Sequence, residues 1–236
     1  MKIEEMSVSV IIAAAGASTR MGGAVSKPLL PLGGRTVLDW SLKLFDSSAA
    51  VRQIIIAAAA SELPQIEAVA AAYPKVQAVV AGGADRCASV RLALAAVDER
   101  ARRVAVHDAA RPLLAAADWQ ALLELSAKHA AAILGAPLND SVKTVTGGRL
   151  SGSLRRESLL AAQTPQIFER ELLRAAYLRA GQAGISAGDD AELVAAVDGE
   201  IAFCHARQAN FKLTRPGDMA LAEAVLARRA GGDLCV

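Results

Sequence analysis

Short apolar runs rich in β-branched residues alternate along this chain with segments of helical period, and that alternation restricts the fold more than any other feature. Val8 to Ala14 reads as a strand buried on both faces and is stopped by Gly16. Val37, Leu38, Ser41, Leu42 and Phe45 then fall on one helical face, after which Gln53 to Ala59 returns to a strand-like run. The same reading predicts a helix from Glu62 to about Tyr73, a strand Val76 to Ala81, a helix Arg86 to Val97, a strand Arg103 to His107, a helix Asp118 to His129 and a strand Ala131 to Pro137. Strands that are apolar throughout must be covered on both sides. The expected architecture is therefore α/β and Rossmann-like, a mainly parallel sheet covered by helices with ligands at the carboxyl ends of its strands. A chain of 236 residues that is 53% hydrophobic can bury such a core as one undivided domain, expected over residues 1–236.

Between Leu138 and Ala162 the alternation stops. This stretch is polar, contains Gly147, Gly148 and Gly152, and has the short alternating runs of a hairpin, so a protruding β-arm is expected at about 138–162. An arm of this size buries little surface alone; packing against a second subunit to form a homodimer is its expected use, with a mobile lid as the rival. Helices from Glu169 to Ala180, around Ala191 to Val197 and from Pro216 to Arg228, with a strand Ile201 to His205, complete the reading.

Charge and composition exclude several partners. The 26 basic and 24 acidic residues are interspersed, without the basic block that binds nucleic acid, and aromatic residues at 3% provide few platforms for stacking bases. Cys87, Cys204 and Cys235 are distant from one another and never spaced as CxxC, which argues against a disulfide framework or a zinc site and for a reducing cytoplasm. Glu4 and Glu5 interrupt the apolar start and the run ends in a glycine-rich basic loop, so it is read as the first strand and not as a signal peptide. Apolar stretches such as Ile54 to Ala60 fall well short of the roughly 20 residues that cross a bilayer.

The segment Ala13 to Gly23, followed by Ser26-Lys27-Pro28, has the most chemical content. Small residues directly after a strand let backbone amides approach phosphate oxygens, while Arg20 and Lys27 can neutralise charge that develops on them. The loop matches neither GxGxxG nor GxxxxGK[ST], so it lacks the dinucleotide and Walker fingerprints. Further on, Gly82 to Ser89 opens a helix after a strand, with Asp85 placed to cap it. Asp108 closes another strand within His107-Asp108-Ala109-Ala110-Arg111-Pro112, where it could meet a hard cation, a ribose or acceptor hydroxyls, or pair structurally with Arg111.

These blocks, with Gln163-Thr164-Pro165-Gln166 and Asn210-Phe211-Lys212-Leu213-Thr214-Arg215-Pro216, resemble nearly end to end the sugar-nucleotide transferase superfamily, and within it the methylerythritol phosphate cytidylyltransferases. The resemblance implies a cytidylyltransferase that joins CTP to the acceptor phosphate and releases pyrophosphate, aided by Mg²⁺ or another divalent cation. It implies catalytic roles for Arg20, Lys27, Arg156 and Lys212, with Arg20 and Lys27 stabilising the transition state at the α-phosphorus. Nucleotide binding is implied for Ala14, Ala15, Gly16, Gly82, Asp85, Ser89, Asp108 and Ala109. Acceptor binding is implied for Asp108, Arg111, Ser141, Arg156, Thr164 and Lys212, and Asp108 is the candidate metal ligand. Arg156 stands eight residues before Thr164 and belongs to the arm, from which the resemblance implies service to a neighbouring subunit. His107 is expected to be structural, because an attacking phosphate is already anionic and needs no base.

Three positions depart from the family pattern. Arg155 stands where an acidic residue is common, which leaves the register of Arg155 and Arg156 open by one residue. Gly188 replaces a threonine and so removes a hydroxyl from the implied acceptor site, whereas Ser141 replaces a threonine and keeps one. Two rivals share the same blocks: an enzyme acting on ribitol 5-phosphate, and a non-catalytic CTP-binding protein on this fold.

Overall fold

The structure, a computed structural model, describes residues 7–16, 26–185 and 187–231. In chain order its elements begin β1 (Val8–Ala13), β2 (Pro31–Leu32), β3 (Arg35–Thr36), α1 (Val37–Ser47), β4 (Val51–Ala58), α2 (Leu63–Ala70), β5 (Val76–Ala81), α3 (Arg86–Leu94) and β6 (Arg103–Asp108). They continue α4 (Ala116–Ser126), β7 (Ala131–Ala136), β8 (Val142–Thr146), β9 (Arg149–Leu154), β10 (Ala161–Glu169), α5 (Arg170–Ala183), α6 (Asp190–Ala195), β11 (Ala202–His205) and α7 (Gly217–Ala230).

Among the described residues the central sheet has seven strands in the order β11-β7-β10-β6-β1-β4-β5. Side chains alternate across it as a strand's period of two requires. On one face Val10, Ile12, Ile54 and Ile56 pack with Leu38, Leu42 and Phe45 of α1, Ile66 of α2 and Trp119 and Leu122 of α4. On the other, Ile11, Ile55, Val104 and Val106 meet Val90 of α3, Leu173 and Tyr177 of α5 and Leu193 of α6. Both faces are thus covered, which is why β1 and β4 read as continuous apolar runs. Helix α1 starts in a capping box: the Asp39 amide donates to the Thr36 hydroxyl and the Thr36 amide to the Asp39 carboxylate.

The sheet is parallel where β6, β1, β4 and β5 meet and where β11 joins β7, as expected. Strand β10 is the difference. It enters antiparallel between β6 and β7, at a position where the sequence offers no strand signal. Gln163, Thr164, Pro165 and Gln166 occupy its middle, without strand alternation, and proline has no amide to donate to a ladder. The chain accommodates Pro165 by shifting register between Gln163 and Gln166, so the proline falls at an irregularity. The expected arm is correspondingly shorter, because Ala161 and Ala162 already pair with β7.

The arm itself is a hairpin of β8 and β9, turned by Gly147 and Gly148 at φ 58° and 75°. Two consecutive positive φ angles suit a tight hairpin turn and favour glycine. Val145, Leu150 and Leu154 are exposed on it. Among the described residues no helix is long and apolar enough to cross a membrane.

Candidate active site

The carboxyl ends of β1, β5 and β6 open on one edge of the sheet, and because β10 runs the other way, its first residues reach that same edge. Two cavities of about 300 Å³ and 290 Å³ lie there. The first is lined by Ala14, Ala15, Gly16, Lys27, Gly83, Asp85, Ser89, Ala109 and Ala110. The second is lined by Arg111, Gln163, Thr164, Gln166, Gly188, Asp189 and Glu192. Arg86, Asp108 and Lys212 line both, so these three side chains form a shared wall.

The first cavity is shaped by close backbone approach. A Cβ on Gly82 would lie 2.4 Å from the Ala15 Cβ and 2.8 Å from the Ser89 hydroxyl, so only glycine lets the β5–α3 loop pass the β1 loop at this distance. Ser89, itself buried, accepts from the Gly83 amide at 3.0 Å and donates to the Asp85 carbonyl at 2.7 Å. Asp85 caps α3 by accepting from the Ala88 amide at 2.7 Å. Gly82 therefore shapes the cavity by packing while Asp85 and Ser89 reach its surface.

The wall is an ion cluster. Asp108 Oδ1 accepts from Arg86 Nε at 2.9 Å and Oδ2 from Lys212 Nζ at 2.8 Å, with Arg111 Nε 3.9 Å from Oδ2. Arg86 reaches on to Asp190, its Nη2 lying 2.8 Å from Asp190 Oδ2. Burial works to raise the Asp108 carboxyl, but the charges and hydrogen bonds of Arg86 and Lys212 outweigh it and hold the group far below the usual carboxylate range. Within this cluster Arg86, Arg111 and Lys212 face the carboxylates of Asp108 and Asp190, while Asp189 and Glu192 bring further carboxylates to the second cavity. The cations that an anion can meet here are those of the cluster, and Lys212 is the most exposed of them.

Thr164 fastens β10 to β6: its hydroxyl accepts from the Asp108 amide at 3.0 Å and lies 3.3 Å from His107 Nδ1. Asn210 donates to the Thr164 carbonyl and to Gln163, and its own carbonyl accepts from Arg111 Nη1 at 2.8 Å. The Leu213 amide donates to the Ala110 carbonyl at 2.8 Å, which brings Lys212 to Asp108 across a sequence separation of 104 residues. His107 is fully buried, with Nε2 3.2 Å from both Ser41 Oγ and the Arg111 carbonyl, and burial pushes it down to about 4. It lines neither cavity and is neutral, the structural part expected of it.

The other expected site residues are placed differently. Arg20 lies outside the described residues. Arg156 is exposed, donates to the Asn139 carbonyl at 2.6 Å and contacts Glu157, while Ser141 is exposed at the base of the arm; neither lines the cavities of its own chain. Arg86 and Asp190 are functional candidates that motif reading leaves without a role. Their signal is an arginine beside a helix cap and a doubled aspartate, and spacing alone does not connect the two. A larger groove of about 1010 Å³ between α3 and α5 contains Arg170 and Arg174, but both contact Glu171 and it shares no lining residue with the two cavities.

As for a metal, no group of three or more His, Cys, Asp or Glu capable of holding an ion occurs among the described residues. Asp108 has a cation on each oxygen and Asp85 is occupied as a cap, so the donors do not fit a resident metal cage.

Comparison with known proteins adds independent findings. The family model described as 2-C-methyl-D-erythritol 4-phosphate cytidylyltransferase matches residues 8–228. A protein of that name from Symbiobacterium thermophilum is 40% identical over 227 residues, covering 96% of this chain and 95% of its own length. One from Frankia casuarinae is 42% identical, covering 94% of this chain and 82% of its own. The crystal structure of the Thermus thermophilus protein of that name is 34% identical with a TM-score of 0.77, covering 94% of this chain and all 100% of its own. The 4-diphosphocytidyl-2C-methyl-D-erythritol synthase of Anaerococcus prevotii superposes with a TM-score of 0.83 at 25% identity, covering 94% of this chain and 99% of its own.

Proposed function

The chain belongs to the 2-C-methyl-D-erythritol 4-phosphate cytidylyltransferase family, and from that premise we infer its reaction: CMP passes from CTP to 2-C-methyl-D-erythritol 4-phosphate. The products are 4-diphosphocytidyl-2-C-methyl-D-erythritol and pyrophosphate, within the non-mevalonate route to isoprenoids. The observation that carries the residue-level reading is the shared wall. Two cavities of similar size meet at Arg86, Asp108 and Lys212, which suits two phosphorylated substrates reacting with each other.

In this reading CTP occupies the first cavity, with cytosine toward Gly82 to Ser89 and the triphosphate along Ala14 to Gly16 and Lys27. The acceptor phosphate enters the second cavity and meets the cations of Lys212 and Arg111. One of its oxygens forms a bond to the α-phosphorus in line with the bridging oxygen to the β-phosphorus. The bond from the α-phosphorus to that bridging oxygen breaks, and pyrophosphate leaves with its electron pair. The attacking phosphate is anionic at neutral pH and no side chain needs to take a proton, so positioning and charge stabilisation supply the catalysis. Arg20 and Lys27 meet the charge that builds on the departing phosphates.

A divalent cation, with Mg²⁺ as the expected ion, would be held by the triphosphate oxygens of CTP, since the described residues offer no cage for it. Its chemistry there is to neutralise and clamp the phosphates. The exposed β8–β9 arm, with Val145, Leu150 and Leu154 uncovered, supports a homodimer in which Arg156 of one subunit serves the other's acceptor cavity. One domain with this inserted arm, and a cytoplasmic location given the unpaired cysteine spacing, complete the reading.

The experiment is pyrophosphate release from CTP and magnesium with methylerythritol phosphate, run beside ribitol 5-phosphate. Release with methylerythritol phosphate alone is expected. Preference for ribitol phosphate would transfer the mechanism to another acceptor, and silence with both would leave a non-catalytic CTP binder. Sedimentation at assay concentration should show two subunits; a monomer with full activity would refute the arm's role.

A further inference from the structure

Beyond the wall lie two buried groups that line neither cavity. Asp190 is fully buried at the start of α6, and Tyr177, on α5, donates its hydroxyl to Asp190 Oδ1. We infer that Tyr177 and Asp190 are positioning residues: a relay that holds Arg86, and through it Asp108 and Lys212, in the geometry the transfer requires. The inference rests on the reaction proposed above.

A buried carboxylate is a costly way to fill space and contributes little net stability even when paired. Helix α6 does not need this one, because Asp189 caps it by accepting from the Glu192 amide at 2.9 Å. The loop is also fixed independently of the charge. Gln166 of β10 donates to Asp189 Oδ2 at 2.8 Å and accepts from the Ala191 amide at 3.0 Å, so Asp190 is delivered between two anchored neighbours.

The guanidinium explains what the carboxylate does. Arginine presents a rigid fork that prefers to grip a carboxylate with two nitrogens. Asp108 receives only Nε of Arg86, at 2.9 Å, while Nη2 sits 2.8 Å from Asp190. That second contact is poorly aligned as a hydrogen bond, so charge is what holds it. Without the Asp190 charge the fork is free to turn wholly onto Asp108 and compete with Lys212 for its oxygens. With it, Asp108 Oδ2 stays available to Lys212 at 2.8 Å. Burial and the Asp190 carboxylate push the Tyr177 phenol far above its ordinary value, so it stays protonated and remains a donor. It satisfies the oxygen that Arg86 does not reach.

The test uses Asp190→Asn, Tyr177→Phe and the double variant in the full chain, with kcat, KM for each substrate and the melting temperature measured for all. Asp190→Asn is expected to lower kcat by about 10- to 100-fold, the scale of a displaced reacting group, with KM for CTP held within about twofold. Tyr177→Phe is expected to lower kcat by about threefold alone and to add nothing in the Asp190→Asn background, since groups acting in one chain are non-additive. Folded single variants with kcat within about twofold of the parent would overturn the relay, as would effects that simply multiply and follow the melting temperature. If Asp190→Asn does not fold, Tyr177→Phe decides alone, and an unchanged kcat overturns the proposal. A parent enzyme silent with CTP and methylerythritol phosphate would overturn the underlying reaction, and the relay with it, before any variant is compared.

Discussion

Replacing Gly82 by alanine tests whether close backbone packing builds the first cavity. The added Cβ would meet the Ala15 Cβ at 2.4 Å, the Ser89 hydroxyl at 2.8 Å and the Ala58 carbonyl at 3.3 Å. None of these is the far end of a flexible side chain, and Gly82 is held from behind by its amide on the Ala58 carbonyl at 2.7 Å. Ordinary contacts begin near 3.4 Å, so the β1 and β5 loops must part by about 1 Å. Overpacking of this kind costs about 1–3 kcal/mol. For a chain of this size each kcal/mol lowers the melting temperature by about 2–4 °C, so a drop on the order of 2–12 °C is expected. A displacement of about 1 Å beside the reacting phosphate is also expected to cost about 100-fold in kcat/KM for CTP. The assays are thermal unfolding and steady-state pyrophosphate release. Gly181→Ala is the control: it lies within α5, an added Cβ meets no described atom within 4 Å, and the change should stabilise the helix by about 0.5–1 kcal/mol. If Gly82→Ala keeps the parent's melting temperature and turnover, the close approach is not what shapes the cavity.

Three further outcomes follow from the site. Lys212→Ala leaves Asp108 with Arg86 and a distant Arg111 and removes the most exposed cation of the wall, so turnover should fall by about 100-fold or more with the fold retained; turnover above about half would remove Lys212 from the mechanism. At Gly188 an added Cβ meets only the Glu192 carboxylate at 3.4 Å, so Gly188→Thr should fit, place a hydroxyl in the second cavity and lower KM for the acceptor severalfold, to be read by acceptor titration at saturating CTP. His107 is held down to about 4 against an ordinary 6.5, so between those values the unfolded chain binds a proton that the native chain does not. Stability should therefore be lost as pH falls from 6.5 toward 4, by up to about 1.4 kcal/mol per pH unit for this group, and His107→Asn should flatten that slope in denaturant titrations.

Much of the fold follows from local pattern. The runs from Val8, Gln53, Val76, Arg103 and Ala131 are strands because continuous β-branched and small apolar residues have to be covered on both faces, and helical spacing between them supplies the cover. The hairpin of the arm follows from Gly147 and Gly148, which take positive φ at no steric cost. Strand β10 follows from no such pattern. Its pairing with β6 and β7 is stabilised by partners distant in the chain, while Pro165 argues against a strand locally and is accommodated only by a register shift.

The site divides along the same line. Motif blocks by themselves identify the glycines that permit close approach and the cations that can meet phosphate, since those are properties of residue type at short spacing. Only tertiary structure determines that Lys212 and Arg86 meet on Asp108 with Asp190 behind Arg86, because a network of buried charges depends on elements brought together by antiparallel insertion of β10 and by the anchoring of the Ala191 amide on Gln166. It also separates Arg156 and Ser141 from the cavities of their own chain, since the arm leaves the sheet before it can return to them. Local preferences are short-ranged; the pairing of charges across the sheet edge depends on where distant segments finally pack.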